Sequence, residues 1–228
     1  MDYYVLEWGC IILALVISLF AQFYINHNYK KYSKKYNTNA TTGSEAARKI
    51  LDANGLQNVV INAVRGKLTD NYNPKNKTVN LSEGIYDKDS IAAVAVAAHE
   101  CGHAIQDKNG YLFLKIRRTM IPLVNFASYA GYFAVVIGLF MSMIGLIRIG
   151  IAMELIILIF QLVTLPVEFN ASNRALKQIK ELGILTPDEY KGGRKMLVSA
   201  ALTYVAGVAS AVLQIVRLLL IINSRRRD

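Results

Sequence analysis

At 228 residues the chain has room for one or two soluble domains, but 54% hydrophobic residues and a positive mean hydropathy are too apolar for that class. The formal charge of +10 would suit a nucleic-acid binder, yet the basic residues gather beside apolar runs without interleaved aromatics. The expected partner is therefore anionic membrane lipid and not nucleic acid. The expected fold class is mostly α: a multi-span helical membrane protein with a small cytoplasmic α+β region.

Four runs are long enough to cross roughly 30 Å of hydrocarbon: residues 9–25, 120–147, 149–165 and 197–222. The first has Asp2 and Glu7 ahead of it and no Lys or Arg, so it reads as a retained anchor and not as a secretory signal. Lys30, Lys31, Lys34 and Lys35 follow it, and Lys115, Arg117 and Arg118 precede the second run. The positive-inside rule therefore places the N-terminus outside and the polar segment 26–119 in the cytoplasm. Tyr3, Tyr4 and Trp8 at one end and Tyr24 and Tyr29 at the other suit the two interfaces. Counting spans puts the second polar segment, 166–196, on the cytoplasmic side as well, and the whole chain, 1–228, reads as one membrane-embedded domain. Arg225, Arg226 and Arg227 then fall outside, against the rule, and Arg217 interrupts the last run, which leaves the depth of that run open.

Thr42-Gly43-Ser44-Glu45 is a capped start for a helix through Ala53, with Gly55 as its stop. Residues 59–64 and 67–72 have the pattern of short strands, and Asn73-Pro74-Lys75-Asn76 is a turn into a third at 78–81. That third strand is the expected sheet edge for an extended peptide, with an ordinary supporting hairpin as the alternative.

Asp89-Ser90 then caps an apolar helix carrying Ala98-His99-Glu100-Cys101-Gly102-His103-Ala104. Residues four apart share a helix face, so His99 and His103 can offer two imidazole nitrogens to one metal ion. Glu100, one step round, is placed to take a proton from a water activated by that metal. This is the layout of a zinc peptidase. Cys101 lies about 200° round from His99 and points away; with Cys10 in the first span, neither cysteine suggests a disulfide.

The second span carries Ala127, Gly131, Ala134, Gly138, Ser142 and Gly145, a small-residue stripe for close helix packing. The third begins at about Arg148, and its Glu154 is expected to pair with Arg148 or to reach the interface. At its other end, Pro166-Val167-Glu168-Phe169-Asn170-Ala171-Ser172 opens a helix that runs to about Leu182 and closes at Gly183. Thr186-Pro187-Asp188-Glu189 starts the last helix, which feeds the fourth span through Gly192-Gly193.

The chain has three histidines, and His27 sits at the end of the first span, where an interfacial role suits it. The third metal ligand is therefore expected to be a carboxylate. Asp107 would point along the helix axis, Glu154 is at the far end of its span, and Glu181 is on a solvated helix end. Glu168 combines the cytoplasmic side, a rigid helix start and amides at Asn170 and Asn173 that could orient it. Asp107 is the next candidate.

His99-Glu100-Cys101-Gly102-His103, Leu165-Pro166-Val167-Glu168-Phe169-Asn170-Ala171-Ser172 and Ala201-Leu202-Thr203-Tyr204-Val205-Ala206 together resemble the neutral zinc metallopeptidase family of bacterial membranes, over nearly the whole chain. The layout is more distantly similar to the gluzincin membrane proteases, which include the heat-shock membrane protease and the CAAX prenyl protease. Those carry a Glu ligand with Ala three residues on and Asp four on; here Ala171 matches and Ser172 stands in place of the Asp. The resemblance implies a zinc-dependent membrane endopeptidase acting on protein or peptide substrates. One zinc ion would be held by His99, His103 and Glu168, with Glu100 as base and Tyr204 or Arg174 as oxyanion donor. The rival reading is a non-catalytic zinc-binding scaffold or lipid-interacting protein.

Overall fold

The computed structural model describes residues 3–225, with six helices and one three-stranded sheet among them. Asp2, Arg226 and Arg227, and the side chain of Tyr3, lie outside the described residues. The helices are α1 (Tyr3–Tyr32), α2 (Gly43–Ala53), α3 (Ile91–Lys108), α4 (Leu112–Phe140), α5 (Ile144–Glu181) and α6 (Pro187–Ser224). The strands are β1 (Val60–Val64), β2 (Asn71–Asn73) and β3 (Thr78–Ser82). Four of the helices, α1, α4, α5 and α6, are long and apolar enough to cross a membrane. The chain is mostly α with a small sheet, as its composition implies.

The chain divides into two compact units. One comprises the described parts of Met1–Gln22, Lys115–Leu165 and Leu202–Asp228, the lengths that carry the apolar runs. Within it, small residues set the helix spacing: a Cβ on Gly131 would come within 2.7 Å of Met153 Cβ, and one on Gly150 within 2.3 Å of Val135 Cγ2. The expected stripe stops early, because Ser142 falls in the turn and Gly145 faces open space. The turn between the second and third spans lies at 141–143, six residues before the expected break near Arg148. Ser142 takes a left-handed conformation (φ 56°) and Met143 N–H bonds back to Gly138 O at 2.9 Å, a Schellman closure without the usual glycine. Arg225 donates to the terminal carbonyls of Gly138 and Leu139 at 3.4 and 3.0 Å, so this cation caps α4. Glu154 makes no ion pair with Arg148 among the described residues; it lines a cavity of this unit together with Arg217, which sits inside an unbroken α6.

The other unit, Phe23–Leu114 with Pro166–Ala201, gathers the two polar segments. Thr42 caps α2 through a complete capping box with Glu45, and Ser90 caps α3 by accepting from Ala93 N–H at 3.1 Å. α2 and α3 pack through Ile50, Leu51, Val94, Ala97 and Ala98, all without exposed surface. The sheet order is β1-β3-β2, with β3 parallel to β1 and antiparallel to β2. β3 is thus the central strand and not the edge expected from the pattern of 78–81: its main-chain groups are paired on both sides. β2 is shorter than the expected 67–72, and Asp70 ahead of it instead accepts from Ser82 N–H at 2.7 Å. Pro166 is accommodated inside α5, which continues to Glu181 and closes through Gly183 (φ 58°), with Ile184 N–H bonded to Ile179 O.

Candidate metal centre

α3 presents His99 and His103 one turn apart, with ring centroids 4.8 Å apart and planes at 84°. α5 brings Glu168 to them. Its Oε2 lies 3.2 Å from His99 Nε2 and 3.6 Å from His103 Nε2, and the three ligand atoms fall within 4.8 Å of one another. The two helices can approach because Gly102 has no side chain: a Cβ there would come within 2.4 Å of Ala171 O. Gly102 therefore makes room for the α5 backbone and for Glu168 one turn away.

Each imidazole is held from behind. His103 Nδ1 is 3.0 Å from Gln106 Oε1. Gln106, fully buried, donates its amide hydrogens to Val167 O at 2.7 Å and Asn170 Oδ1 at 3.0 Å. Its Oε1 must therefore face His103 and accept, which puts the His103 proton on Nδ1 and leaves the Nε2 lone pair toward Glu168. His99 Nδ1 is 3.1 Å from Ser172 Oγ, so Ser172 is the outer partner of this ring. Asn170 Oδ1 also accepts from Arg174 Nε at 2.7 Å. The role expected for Asn170 changes accordingly: its carbonyl oxygen orients Gln106.

Two imidazole lone pairs and a carboxylate oxygen aimed at one point repel unless a positive charge lies between them. Tetrahedral zinc with bonds of 2.0 to 2.2 Å separates its ligand atoms by about 3.3 to 3.6 Å, and the two His–Glu distances, 3.2 and 3.6 Å, lie at the ends of that range. The residues fit zinc. The electrostatics agree. Burial alone would lower His103, but where a proton takes the cation's place on Nε2, the Glu168 hydrogen bond and the Glu100 and Glu168 charges hold it above its ordinary value. Burial alone would raise Glu168, yet its bonds to His103 and His99 hold it well below the usual carboxylate range.

Comparison with known proteins decides the family. The family described as "Putative neutral zinc metallopeptidase" matches residues 8–223. The chain belongs to this family. It is 43% identical over 217 residues to the protein named "Putative membrane protease YugP" of Bacillus subtilis (strain 168), covering 95% of this chain and 96% of that protein. No solved structure matches the chain.

Within this zinc metallopeptidase family member, Glu100 is buried on α3 next to His99, and its carboxylate makes no hydrogen bond among the described residues. Cys101 turns the other way, with Sγ 3.6 Å from Ala47 O on α2, and burial pushes its thiol far up, leaving an inert packing residue. The other carboxylates weighed from sequence are engaged elsewhere. Asp107 binds Lys77 Nζ at 2.5 Å and Tyr72 OH at 2.9 Å, and Glu181 is exposed with Lys177 at 3.7 Å. His27 is exposed and stacks on Phe23. Arg174 joins the polar network of the site through Asn170, whereas Tyr204 belongs to the other unit. Gln106 was legible only as a residue at i+3 from His103. That spacing puts both on one helix face and is the signal that identifies an outer partner.

Proposed function

We infer that this chain is a zinc-dependent endopeptidase of the membrane, hydrolysing peptide bonds of protein or peptide substrates at the cytoplasmic face. The observation that carries the reading is the convergence of His99 Nε2, His103 Nε2 and Glu168 Oε2 on one point, with both imidazoles fixed by outer partners. Bound there, one zinc ion supplies Lewis acidity for a water nucleophile and for the scissile carbonyl. Glu100, adjacent in sequence to His99 and uncommitted to other bonds, takes the proton from that water and delivers it to the leaving amine. Ser172 and Gln106 keep the rings oriented while the charge changes. The name of the 43% identical relative, a membrane protease, supports the same class.

A non-catalytic scaffold would call for a closed metal site, which ordinarily takes four protein ligands. Among the described residues three such groups converge, which favours an open, catalytic position. The cytoplasmic assignment rests on the basic flanks of the spans and is read out by cysteines at the exposed Lys88 and Lys180 in a chain lacking Cys10 and Cys101: an impermeant thiol reagent should label them only after lysis.

The function is tested by proteomics of cleavage products from purified wild-type protein and Glu100→Gln. Products released by the wild type and absent from the variant, which retains zinc, are expected. A variant cleaving at the wild-type rate would remove Glu100 from the reaction.

A further inference from the structure

The unit that carries the apolar runs contains charged groups which peptide hydrolysis does not use. A cavity of about 370 Å³ lies among α4, α5 and α6, and both Glu154 and Arg217 line it. An ionisable side chain within a membrane span is costly without a partner, yet these two opposite charges form no ion pair among the described residues although they share the cavity. Arg217 Nε is buried with no hydrogen-bond partner, and its Nη1 reaches Gln214 Oε1 only at 3.5 Å. Something between the two charges would satisfy both.

The chemistry of the gap selects the ligand. A simple anion would satisfy Arg217 but set a second negative charge before Glu154, and a simple cation would do the reverse. A zwitterion with an N–H cation and an anionic oxygen a few atoms apart answers both groups at once. The shape of the cavity indicates the source. It follows α4 from Ala127 to Leu139, about 18 Å at 1.5 Å per residue, and Leu139 is next to the helix end at Phe140. Tyr132 and Val136 on its rim are 66% and 44% exposed on the outer face of this unit, so the slot is open sideways, where lipid lies. The volume is at the small end of ligand pockets, which suits a headgroup.

We propose that this cavity binds the phosphoethanolamine headgroup of a phospholipid, with its ammonium on Glu154 and its phosphate on Arg217 and Gln214. The cavity belongs to the unit that carries the apolar runs, and the metal centre to the other.

The test is native mass spectrometry of the full chain in detergent micelles doped with equal amounts of phosphatidylethanolamine, phosphatidylcholine and phosphatidylglycerol. Wild type should retain phosphatidylethanolamine about tenfold over the other two, the ratio expected when one charge-assisted contact is lost. The choline headgroup cannot donate to Glu154, and the glycerol headgroup carries no cation. Glu154→Gln should abolish the preference over phosphatidylcholine, and Arg217→Gln should lower retention of all three. Equal retention of the three lipids by wild type would overturn the proposal even if neither variant folds. So would a Glu154→Gln protein with the wild-type preference. Displacement of the lipid by millimolar free O-phosphoethanolamine would assign the site to a soluble zwitterion and overturn its assignment to lipid.

Discussion

Ser172 Oγ stands 3.1 Å from His99 Nδ1, on the side of the ring opposite Glu168. The outer partner of this imidazole is thus a neutral hydroxyl and not a carboxylate. A neutral acceptor fixes the ring as well but adds less basicity to the ligand nitrogen. Ser172→Ala should weaken zinc binding by about 10- to 100-fold, the usual loss for an outer partner, while Ser172→Asp should bind zinc at least as tightly as wild type. Chelator competition measures both, and an unchanged affinity in Ser172→Ala would show that the contact does nothing for the metal.

Gly102 sets how closely α3 meets α5. A methyl group there would press on the Ala171 carbonyl, which is backbone and cannot swing aside. Gly102→Ala should therefore cost about 1 to 3 kcal/mol, the range for overpacking, and should also lower zinc affinity, because the displaced helix carries Glu168. Thermal unfolding with and without zinc separates the two effects. A variant as stable and as tight-binding as wild type would contradict the packing account.

Glu189 ties the start of α6 to the segment after α1: its carboxylate accepts from Thr38 N–H and Thr38 Oγ at 2.7 Å and from Thr186 N–H at 2.8 Å. Burial tends to raise this carboxyl, but those bonds outweigh it and hold it below its ordinary value. A carboxyl lowered by folding stabilises the fold above its unfolded pKa of about 4.3, and that contribution is lost as pH falls through the lower folded value. Glu189→Gln should therefore be less stable at neutral pH and should lose less stability on acidification. Unfolding midpoints between pH 7 and pH 3 report this, and parallel curves for the two proteins would rule it out.

The metal helix was legible because its signals are local: a Ser90 cap, an apolar run, and two histidines four apart. Glu168 was legible by elimination, in a chain with few other ligands. What escaped was set by contacts between distant segments. The parallel pairing of β1 with β3 places β3 in the middle of the sheet, and no pattern within 78–81 encodes which neighbours it acquires. The turn at 141–143 escaped because Ser142, not Gly or Pro, adopts the left-handed residue of the closure, and Met141 and Met143 prolong the apolar run. For Glu154 the sequence offers Arg148, six residues away on its own helix, or the interface; its charged neighbour on the cavity wall, Arg217, comes from α6.

Glu168 is the residue on which the whole account turns, since its carboxylate meets both histidines of α3. The decisive measurement is zinc content by elemental mass spectrometry, with cleavage assayed on the same samples, for wild type and Glu168→Gln. The account predicts about one zinc per wild-type chain, as a three-ligand catalytic site holds a single ion, and loss of both metal and cleavage in the variant. Full zinc occupancy and wild-type cleavage in Glu168→Gln would contradict it.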